Sequence, residues 1–146
     1  MLYRCSLLVV VVLLGAANWV RSEDKVKNDL EQFQGSWQAV AVHSDGQPSS
    51  REEVQATRLV VDGNKFTLTG KNFTITGTFV IEATKTPKTI DVVLTPKDND
   101  MAKTTLLGIY EIKGDKRKSC FALPEKERPT KFSPAKGYIG FEWKRN

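Results

Sequence analysis

Alternation of apolar and polar residues with a period of two constrains this chain more than any other feature. The segment from residue 79 to residue 115 holds three runs of this kind, separated by proline, aspartate and asparagine residues. Side chains on a β-strand point alternately to its two faces, so such runs predict half-buried strands. The segment carries no pattern typical of a catalytic or metal site. It therefore predicts an all-β fold.

Runs of the same kind continue on both sides of this segment. The two runs that flank Gly63-Asn64 predict a hairpin, because glycine and asparagine tolerate positive φ angles. Residues 73–81 alternate apolar and threonine side chains, with Gly77 on the apolar side, which is typical of a bend at a barrel corner. With a first strand at residues 37–42, about eight strands follow at the spacing of a sandwich or barrel.

Two short helices are expected beside these strands. Residues 25–34 place their apolar side chains on one face of a 3.6-residue period, and Gly35 is a candidate C-cap. Residues 50–56 predict a second helix with Ser49 or Ser50 as N-cap and two glutamates in the first turn. Helices this short are stable only when they dock on an apolar surface.

The N-terminus has the three-part pattern of a secretory signal peptide. A basic residue precedes the apolar residues 7–14, and small residues follow. The apolar run is shorter than the roughly 20 residues that a membrane-spanning helix needs. We therefore expect a signal peptide at residues 1–22, cleaved after Ala17 or Ser22, and an exported domain at residues 23–146, either periplasmic or extracellular. An uncleaved membrane anchor is the alternative.

Charge and cysteine content narrow the possible partners. The chain has 22 basic and 17 acidic residues, and this mild excess of positive charge is too small for a nucleic-acid interface. Its 146 residues suit a single domain with its own apolar core. Only Cys120 remains after the expected processing, so no disulfide can form within the mature chain. We expect Cys120 to be a buried, small apolar residue, with a reactive thiol as the alternative.

Five short motifs carry a resemblance to a known family. They are GSW at 35–37, TPKTID at 86–91, GIYEIKGD at 108–115, CFA at 120–122 and RPTKF at 128–132. With these motifs, the chain from residue 29 onwards resembles a family of exported lipocalin-like domains that is abundant in planctomycete bacteria and has no assigned activity. The resemblance implies a single antiparallel up-and-down β-barrel, about eight strands with a short N-terminal helix, and a location in the cell envelope.

The chain departs from this resemblance at two positions of one strand. Similar proteins are more apolar at the positions that Arg117 and Ser119 hold here. The two polar residues predict either an exposed strand end or a polar lining on that side of the barrel.

The bulky residues on the inner face of the predicted barrel would line any cavity. An eight-stranded barrel is only just wide enough to be filled by its own side chains or to hold one small ligand. The candidate ligand-binding residues are Trp37, Phe66, Phe79, Tyr110, Phe121 and Phe141. The wider inward-facing set also includes Leu68, Phe73, Ile75, Ile81 and Trp143. Gly77 and Gly108 indicate space, and the Tyr110 hydroxyl is the expected polar contact of a ligand.

Trp37 has a structural interpretation as well. In a lipocalin-like barrel the tryptophan of the Gly-x-Trp motif lies at the closed end, where an arginine stacks on its ring. Arg128 and Arg145 are the possible partners, and the RPTKF motif favours Arg128. The structural interpretation, a plug that closes the barrel, is preferred over direct contact with a ligand.

No residue pattern indicates catalysis, a metal or a cofactor. His43 is the single histidine of the chain, and one histidine does not make a metal cluster. Neither a nucleophile elbow nor a phosphate-binding loop is present in the sequence. We therefore expect a protein that is not an enzyme, binds no nucleic acid and has no stable membrane span after processing.

Two functions remain open. The first is non-catalytic binding of a small apolar or amphipathic ligand in a cavity of at least about 300 Å³. The alternative is a structural or protein-interaction module of the cell envelope whose barrel is filled by its own side chains. That module would act through surface loops at residues 96–103 and 124–134.

Overall fold

The computed structural model describes residues 16–96 and 103–146. In chain order the elements of this part are α1 (Ala16–Phe33), β1 (Gly35–Ser44), β2 (Gln47–Pro48), α2 (Arg51–Ala56), β3 (Arg58–Asp62), β4 (Lys65–Thr69), β5 (Thr74–Glu82), β6 (Lys88–Leu94), β7 (Thr104–Lys113), β8 (Lys116–Ala122) and β9 (Tyr138–Arg145).

Eight of these strands form a closed antiparallel barrel. From β3 to β9 each strand pairs with the next along the chain, and β1 pairs with both β3 and β9. The two-residue strand β2 pairs only with β1 and lies outside this ring. Closure removes the unpaired edges that an open sheet would expose. The predicted all-β, lipocalin-like, up-and-down barrel with an N-terminal helix is confirmed.

Two hairpin turns set the register of neighbouring strands, and the first of them, at Gly63-Asn64, is the predicted one. Asp62 of β3 lies opposite Lys65 of β4, so the loop between them has two residues. Gly63 in this turn has a φ of 61°, and Gly114 in the turn between β7 and β8 has a φ of 60°. Glycine adopts positive φ without the steric penalty that a Cβ atom brings. The local turn chemistry therefore accounts for both registers.

The alternation in β5 is the clearest match between pattern and burial. Gly77, Phe79 and Ile81 are buried, and the residues between them are exposed. Phe73, also predicted to face inward, is 43% exposed. It precedes β5 in a turn and its ring covers Gly70. The inward assignment of Phe73 is therefore wrong, because the strand begins one residue later than the pattern does.

Helix α1 is longer than predicted, and its last two turns dock on the barrel. It begins at Ala16 instead of residue 25, and its polar part around Glu23 and Asp24 is exposed. Asp29 and Phe33 are buried in the last two turns. The spacing of apolar residues therefore predicted only the part of the helix that docks on the barrel. The charged residues before this part extend the helix because they are adequate helix formers.

Helix α2 begins with the predicted cap. The Ser50 side chain accepts a hydrogen bond from the Glu53 backbone N–H at 3.3 Å, and the Glu53 carboxylate accepts one from the Ser50 backbone N–H at 2.9 Å. This reciprocal capping box satisfies two backbone donors at the start of the helix. The helix lies against β1 near the end of the barrel opposite α1.

Two predicted features fall largely outside the described residues. Residues 1–15 carry most of the predicted signal peptide, and only its last residues, 16–22, belong to α1. Residues 97–102 make up most of the predicted loop at 96–103. No helix in the described part of the chain is both long enough and apolar enough to cross a membrane.

Candidate ligand-binding site

Trp37 closes one end of the barrel. Its side chain is fully buried, and its indole N–H donates a hydrogen bond of 2.9 Å to the backbone oxygen of Phe33. The guanidinium of Arg145 stacks over the ring at 4.2 Å from its centroid. Arg145 also donates to the backbone oxygens of Gln32 and Gln34, where α1 ends. A cation at a helix C-terminus is favourable, so one arginine fixes both the helix and the tryptophan.

The prediction that Arg128 stacks on Trp37 is wrong. Arg128 forms an ion pair with Asp91 at 2.6 Å and donates to the backbone oxygen of Gly108 at 2.8 Å. It therefore ties the irregular segment after β8 to strands β6 and β7. Arg145 stacks on Trp37 instead because these two residues are register partners where β9 closes onto β1.

A polar cluster lies beside this plug. The Asp29 carboxylate of α1 accepts hydrogen bonds from the Tyr110 hydroxyl and the Lys88 ammonium, both at 2.7 Å. Burial, together with the neighbouring Asp29 carboxylate, raises the pKa of the Tyr110 hydroxyl above its usual value of 10.0. Tyr110 was predicted to give a ligand its polar contact. In the structure this hydroxyl is paired with Asp29, and Tyr110 is not among the residues that line the cavity.

An apolar cavity of about 130 Å³ lies above this closed end. Side chains from seven strands of the barrel line it: Leu59, Val61, Phe66, Leu68, Ile75, Phe79, Ile90, Val92, Leu94, Leu106, Arg117, Ser119, Phe121, Ile139, Phe141 and Trp143. Four of the six predicted ligand-binding residues, Phe66, Phe79, Phe121 and Phe141, are in this lining. The other two, Trp37 and Tyr110, lie below it in the plug.

The cavity is smaller than predicted because aromatic rings fill the space above two glycines. Phe66 lies opposite Gly77 in the sheet, and Phe121 lies opposite Gly108. A Cβ atom added to Gly77 would lie 2.8 Å from the Phe66 ring, and one added to Gly108 would lie 2.5 Å from the Phe121 ring. The expectation of at least about 300 Å³ is therefore not met. The alternative of a completely filled barrel is not met either.

The cavity continues toward the open end of the barrel. A crevice of about 320 Å³ lies there between α2, the turn before β5 and the start of β9. Leu68, Ile75, Ile139 and Phe141 line both spaces. Phe73, which is partly exposed, lies at this mouth. The inner cavity and the crevice therefore adjoin along apolar side chains at the open end.

Arg117 is the one charged residue among the described residues that line the cavity. It is 6% exposed, and its Nε and Nη1 atoms have no hydrogen-bond partner in the described part of the chain. The guanidinium lies over the Phe33 ring, 4.0 Å from its centroid. Burial lowers the pKa of Arg117 from 12.5 to about 9, so the group still carries its charge at neutral pH. Of the two predicted alternatives, a polar lining applies here.

No family model, curated protein or solved structure matches this chain. Within residues 16–96 and 103–146, no three or more histidine, cysteine, aspartate or glutamate side chains are grouped to hold a metal ion. The functional assignment therefore rests on the geometry of the barrel.

Cys120 and His43 lie outside the cavity. Cys120 is 3% exposed and lies on the outer face of β8, next to a small crevice that Phe132 also lines. Burial raises the pKa of its thiol, which keeps the sulfur protonated and unreactive at neutral pH. The prediction of a buried, small residue is confirmed. His43 lies near the end of β1, where it pairs with β2 and β9 through the backbone.

Twelve of the sixteen lining residues were absent from the predicted ligand-binding set, although the wider inward-facing set already included Trp143. Arg117 and Trp143 face the cavity from β8 and β9. The sequence held a signal for Arg117, since it alternates with Ser119 and Phe121 on one face of the strand. An arginine in an otherwise apolar inward row is the pattern that identifies it.

Proposed function

We propose that this protein is a non-catalytic binding protein that holds a small apolar or amphipathic molecule inside its barrel. The observation that supports this proposal most directly is an apolar cavity that adjoins a crevice at the open end. Apolar surface that leaves water on binding contributes about 25 cal/mol per Å². A lining of phenylalanine, leucine, isoleucine and valine side chains offers such surface on all sides of a bound molecule.

The closed end supports this proposal because it gives the cavity a floor. Helix α1 and the Trp37–Arg145 stack cover one end of the barrel. Side chains held by several hydrogen bonds give a rigid floor, and preformed pockets bind with a smaller loss of conformational entropy.

We also propose that the protein is exported and belongs to the planctomycete family of lipocalin-like domains that its motifs resemble. The basic, apolar and small residues of the N-terminus support export. The order of the five motifs supports the family. Separation of periplasmic, extracellular and cytoplasmic fractions of the producing cells tests the location, and recovery of the full-length chain in the cytoplasm alone would contradict export.

Native mass spectrometry of the protein purified from the cells that produce it tests the binding function. We expect a defined additional mass on the wild type, released by solvent extraction. The variant Phe141→Ala, which removes a ring from the lining, should lose this mass while its circular dichroism spectrum is unchanged. Val80→Ala is the matched control, because Val80 is 70% exposed on the outer face of β5.

A second measurement covers the case of protein purified without a ligand. The neutral fluorescent probe N-phenyl-1-naphthylamine should bind the empty wild type and show lower affinity for Phe141→Ala. Ligand-free wild type that also fails to bind this probe would contradict the proposed function.

The modest cavity volume is the observation that favours a second function. About 130 Å³ is less than most ligand sites provide. A structural or protein-interaction module of the cell envelope needs no cavity and would use the segment around residues 124–134. Arg128 holds this segment against the barrel through Asp91. Loss of a co-purifying protein on Arg128→Ala, with no bound small molecule, would support this alternative.

A further inference from the structure

Three unsatisfied hydrogen-bond donors meet at one side of the cavity. Arg117 of β8 and Trp143 of β9 are direct register partners, and both side chains line the cavity. Opposing side chains on antiparallel strands have Cβ atoms about 4.5–5.5 Å apart. Nε and Nη1 of Arg117 and Nε1 of Trp143 are buried without a partner in the described part of the chain. Buried donors in native proteins are nearly always paired, so this group is unusual.

The described residues offer no internal compensation for the charge of Arg117. None of the ion pairs among them includes this residue. Asp29, the buried carboxylate at the closed end, is engaged by Lys88 and Tyr110. The contact with the Phe33 ring offsets only part of the hydration free energy that a guanidinium loses on burial.

We propose that the ligand of the barrel is an amphipathic anion whose small head group, such as a carboxylate, accepts hydrogen bonds from Arg117. This inference rests on the proposed binding function and specifies the chemistry of its ligand. Arginine suits such a head group because its planar guanidinium presents several donors that match the two oxygens of a carboxylate. The indole N–H of Trp143 provides a further donor on the neighbouring strand.

The position of Arg117 sets the direction in which the ligand lies. Arg117 is near the closed end, since its guanidinium covers Phe33. Phe121, four residues along β8, lies nearer the mouth, and the strand covers about 13 Å over this distance. The lining along this path is apolar apart from Ser119. The head group therefore lies deep in the barrel and the apolar tail extends toward the open end.

The charge of the head group follows from the charge of the site. A neutral head group could pair the free donors but would leave the buried positive charge uncompensated. A cationic head group would add a second charge of the same sign beside Arg117. Hydrogen bonds between a guanidinium and a carboxylate are stronger than those between neutral groups. The site therefore favours anions over neutral or cationic molecules with the same tail.

Isothermal titration calorimetry of the ligand-free full-length protein tests this inference with three probes that share one tail. The probes are sodium octanoate, 1-octanol and octyltrimethylammonium. We expect octanoate to bind the wild type about ten- to a hundredfold more tightly than octanol, which corresponds to one charge-assisted hydrogen-bonding contact. Octyltrimethylammonium should bind more weakly than octanol.

Two variants assign the preference to the proposed donors. Arg117→Met keeps the length of the side chain and removes its charge and its donors. It should lower octanoate affinity to that of octanol or below, because a carboxylate buried without a partner loses its hydration, and should change octanol affinity much less. Trp143→Phe keeps an aromatic ring and removes the N–H, so it should lower octanoate affinity severalfold. Lys118→Met is the control on the outer face of β8, with no expected effect on either probe.

The outcomes separate this inference from the function on which it rests. Equal affinity of the wild type for octanoate and octanol would overturn the inference and leave apolar binding intact. Unchanged octanoate binding by a folded Arg117→Met would also overturn it. Failure of all three probes to bind the wild type would contradict the binding function itself. The wild-type comparison decides the question even where a variant does not fold.

Discussion

At the scale of single residues, Arg117 is the position where stability and function oppose one another. Its guanidinium is buried against an apolar cavity with two nitrogen atoms unpaired in the described part of the chain. A buried charge without a partner destabilises the folded state, and such groups concentrate at functional sites. The Phe33 ring offsets only part of this cost.

Replacement of Arg117 by methionine should therefore stabilise the ligand-free protein. We expect the free energy of unfolding in urea at neutral pH to rise by about 1–4 kcal/mol, the range seen when buried ionic groups give way to apolar residues of similar volume. Lys118→Met, on the exposed face of the same strand, should change it by less than about 0.5 kcal/mol. A lower stability of Arg117→Met would show that Arg117 supports the fold and has no need of an anion.

Arg117 should also affect how the free energy of unfolding depends on pH in the alkaline range. Its pKa in the folded protein, about 9, is lower than the usual 12.5, so between these values the unfolded chain holds a proton that the folded protein releases. The contribution of Arg117 therefore increases the free energy of unfolding as the pH rises through this interval. The raised pKa values of Tyr110 and Cys120 act in the opposite direction, because the unfolded chain releases their protons first. The charged groups nearest Arg117 form a chain, since Tyr110 and Arg117 influence each other's pKa, Tyr110 donates to Asp29, and Lys88 donates to the same carboxylate.

The variant Arg117→Met isolates the arginine from these opposing groups. It lacks the guanidinium and keeps Tyr110 and Cys120. Because Arg117 lowers the pKa of Tyr110, its removal raises that pKa further, and the folded protein keeps the Tyr110 proton in this pH range with or without Arg117. The contributions of Tyr110 and Cys120 are therefore nearly equal in variant and wild type. We expect the stability advantage of the variant to shrink between about pH 8 and about pH 11 in urea unfolding series. A constant difference across this range would mean that the charge of Arg117 is not buried in the folded protein.

At the scale of elements, the two glycines opposite aromatic rings decide how closely neighbouring strands pack. A Cβ atom on Gly77 would lie 2.4 Å from the backbone oxygen of Val93, which cannot move aside without disturbing β6. Gly77→Ala should lower the free energy of unfolding by about 1–3 kcal/mol, the effect of overpacking a core.

Gly140→Ala is the matched control for this prediction. The nearest atom to a Cβ there is the Ser119 oxygen at 3.9 Å, and Gly140 is also in a barrel strand. Thermal unfolding of both variants makes the comparison. Equal effects of the two substitutions would mean that the loss of glycine in a strand, and not the clash in β6, sets the stability.

The docking of α1 depends on the buried Asp29 carboxylate. Asp29→Ala leaves the Tyr110 hydroxyl, which is buried, and the Lys88 ammonium without their partner. We expect a loss of about 1–3 kcal/mol in the free energy of unfolding and faster hydrogen exchange in the last turns of α1. Glu31→Ala, on the exposed side of the same helix, should leave both quantities unchanged. Retained protection of α1 in Asp29→Ala would mean that Phe33 alone anchors the helix.

Local patterns predicted elements well and long-range pairings poorly. The Gly63 turn, the Ser50 capping box and the alternation in β5 depend on neighbours in sequence, and all three are present. The partner of Trp37 depends on the register between the first and last strands of the barrel, so the choice of Arg128 over Arg145 failed. The partner of Tyr110 is Asp29, which is 81 residues away in the chain.

At the scale of the whole molecule, the barrel was predictable and its interior was not. Period-two alternation and strand spacing predicted about eight strands in a sandwich or barrel, and the resemblance to lipocalin-like domains implied that the sheet is closed. The volume inside depends on where rings such as Phe66 and Phe121 lie, and the sequence suggested space where these rings cover glycines. The chemical character of the cavity depends on Arg117, whose position on an inward row was visible while its lack of a partner was not.

A crystal structure of the full-length protein with octanoate tests the central claim most directly. We expect one octanoate inside the barrel, with its carboxylate within hydrogen-bond distance of Arg117 Nε or Nη1 and its tail beside Phe66, Phe121 and Phe141. Octanoate found only in the outer crevice, or a barrel whose side chains close over the cavity and leave octanoate unbound, would contradict it.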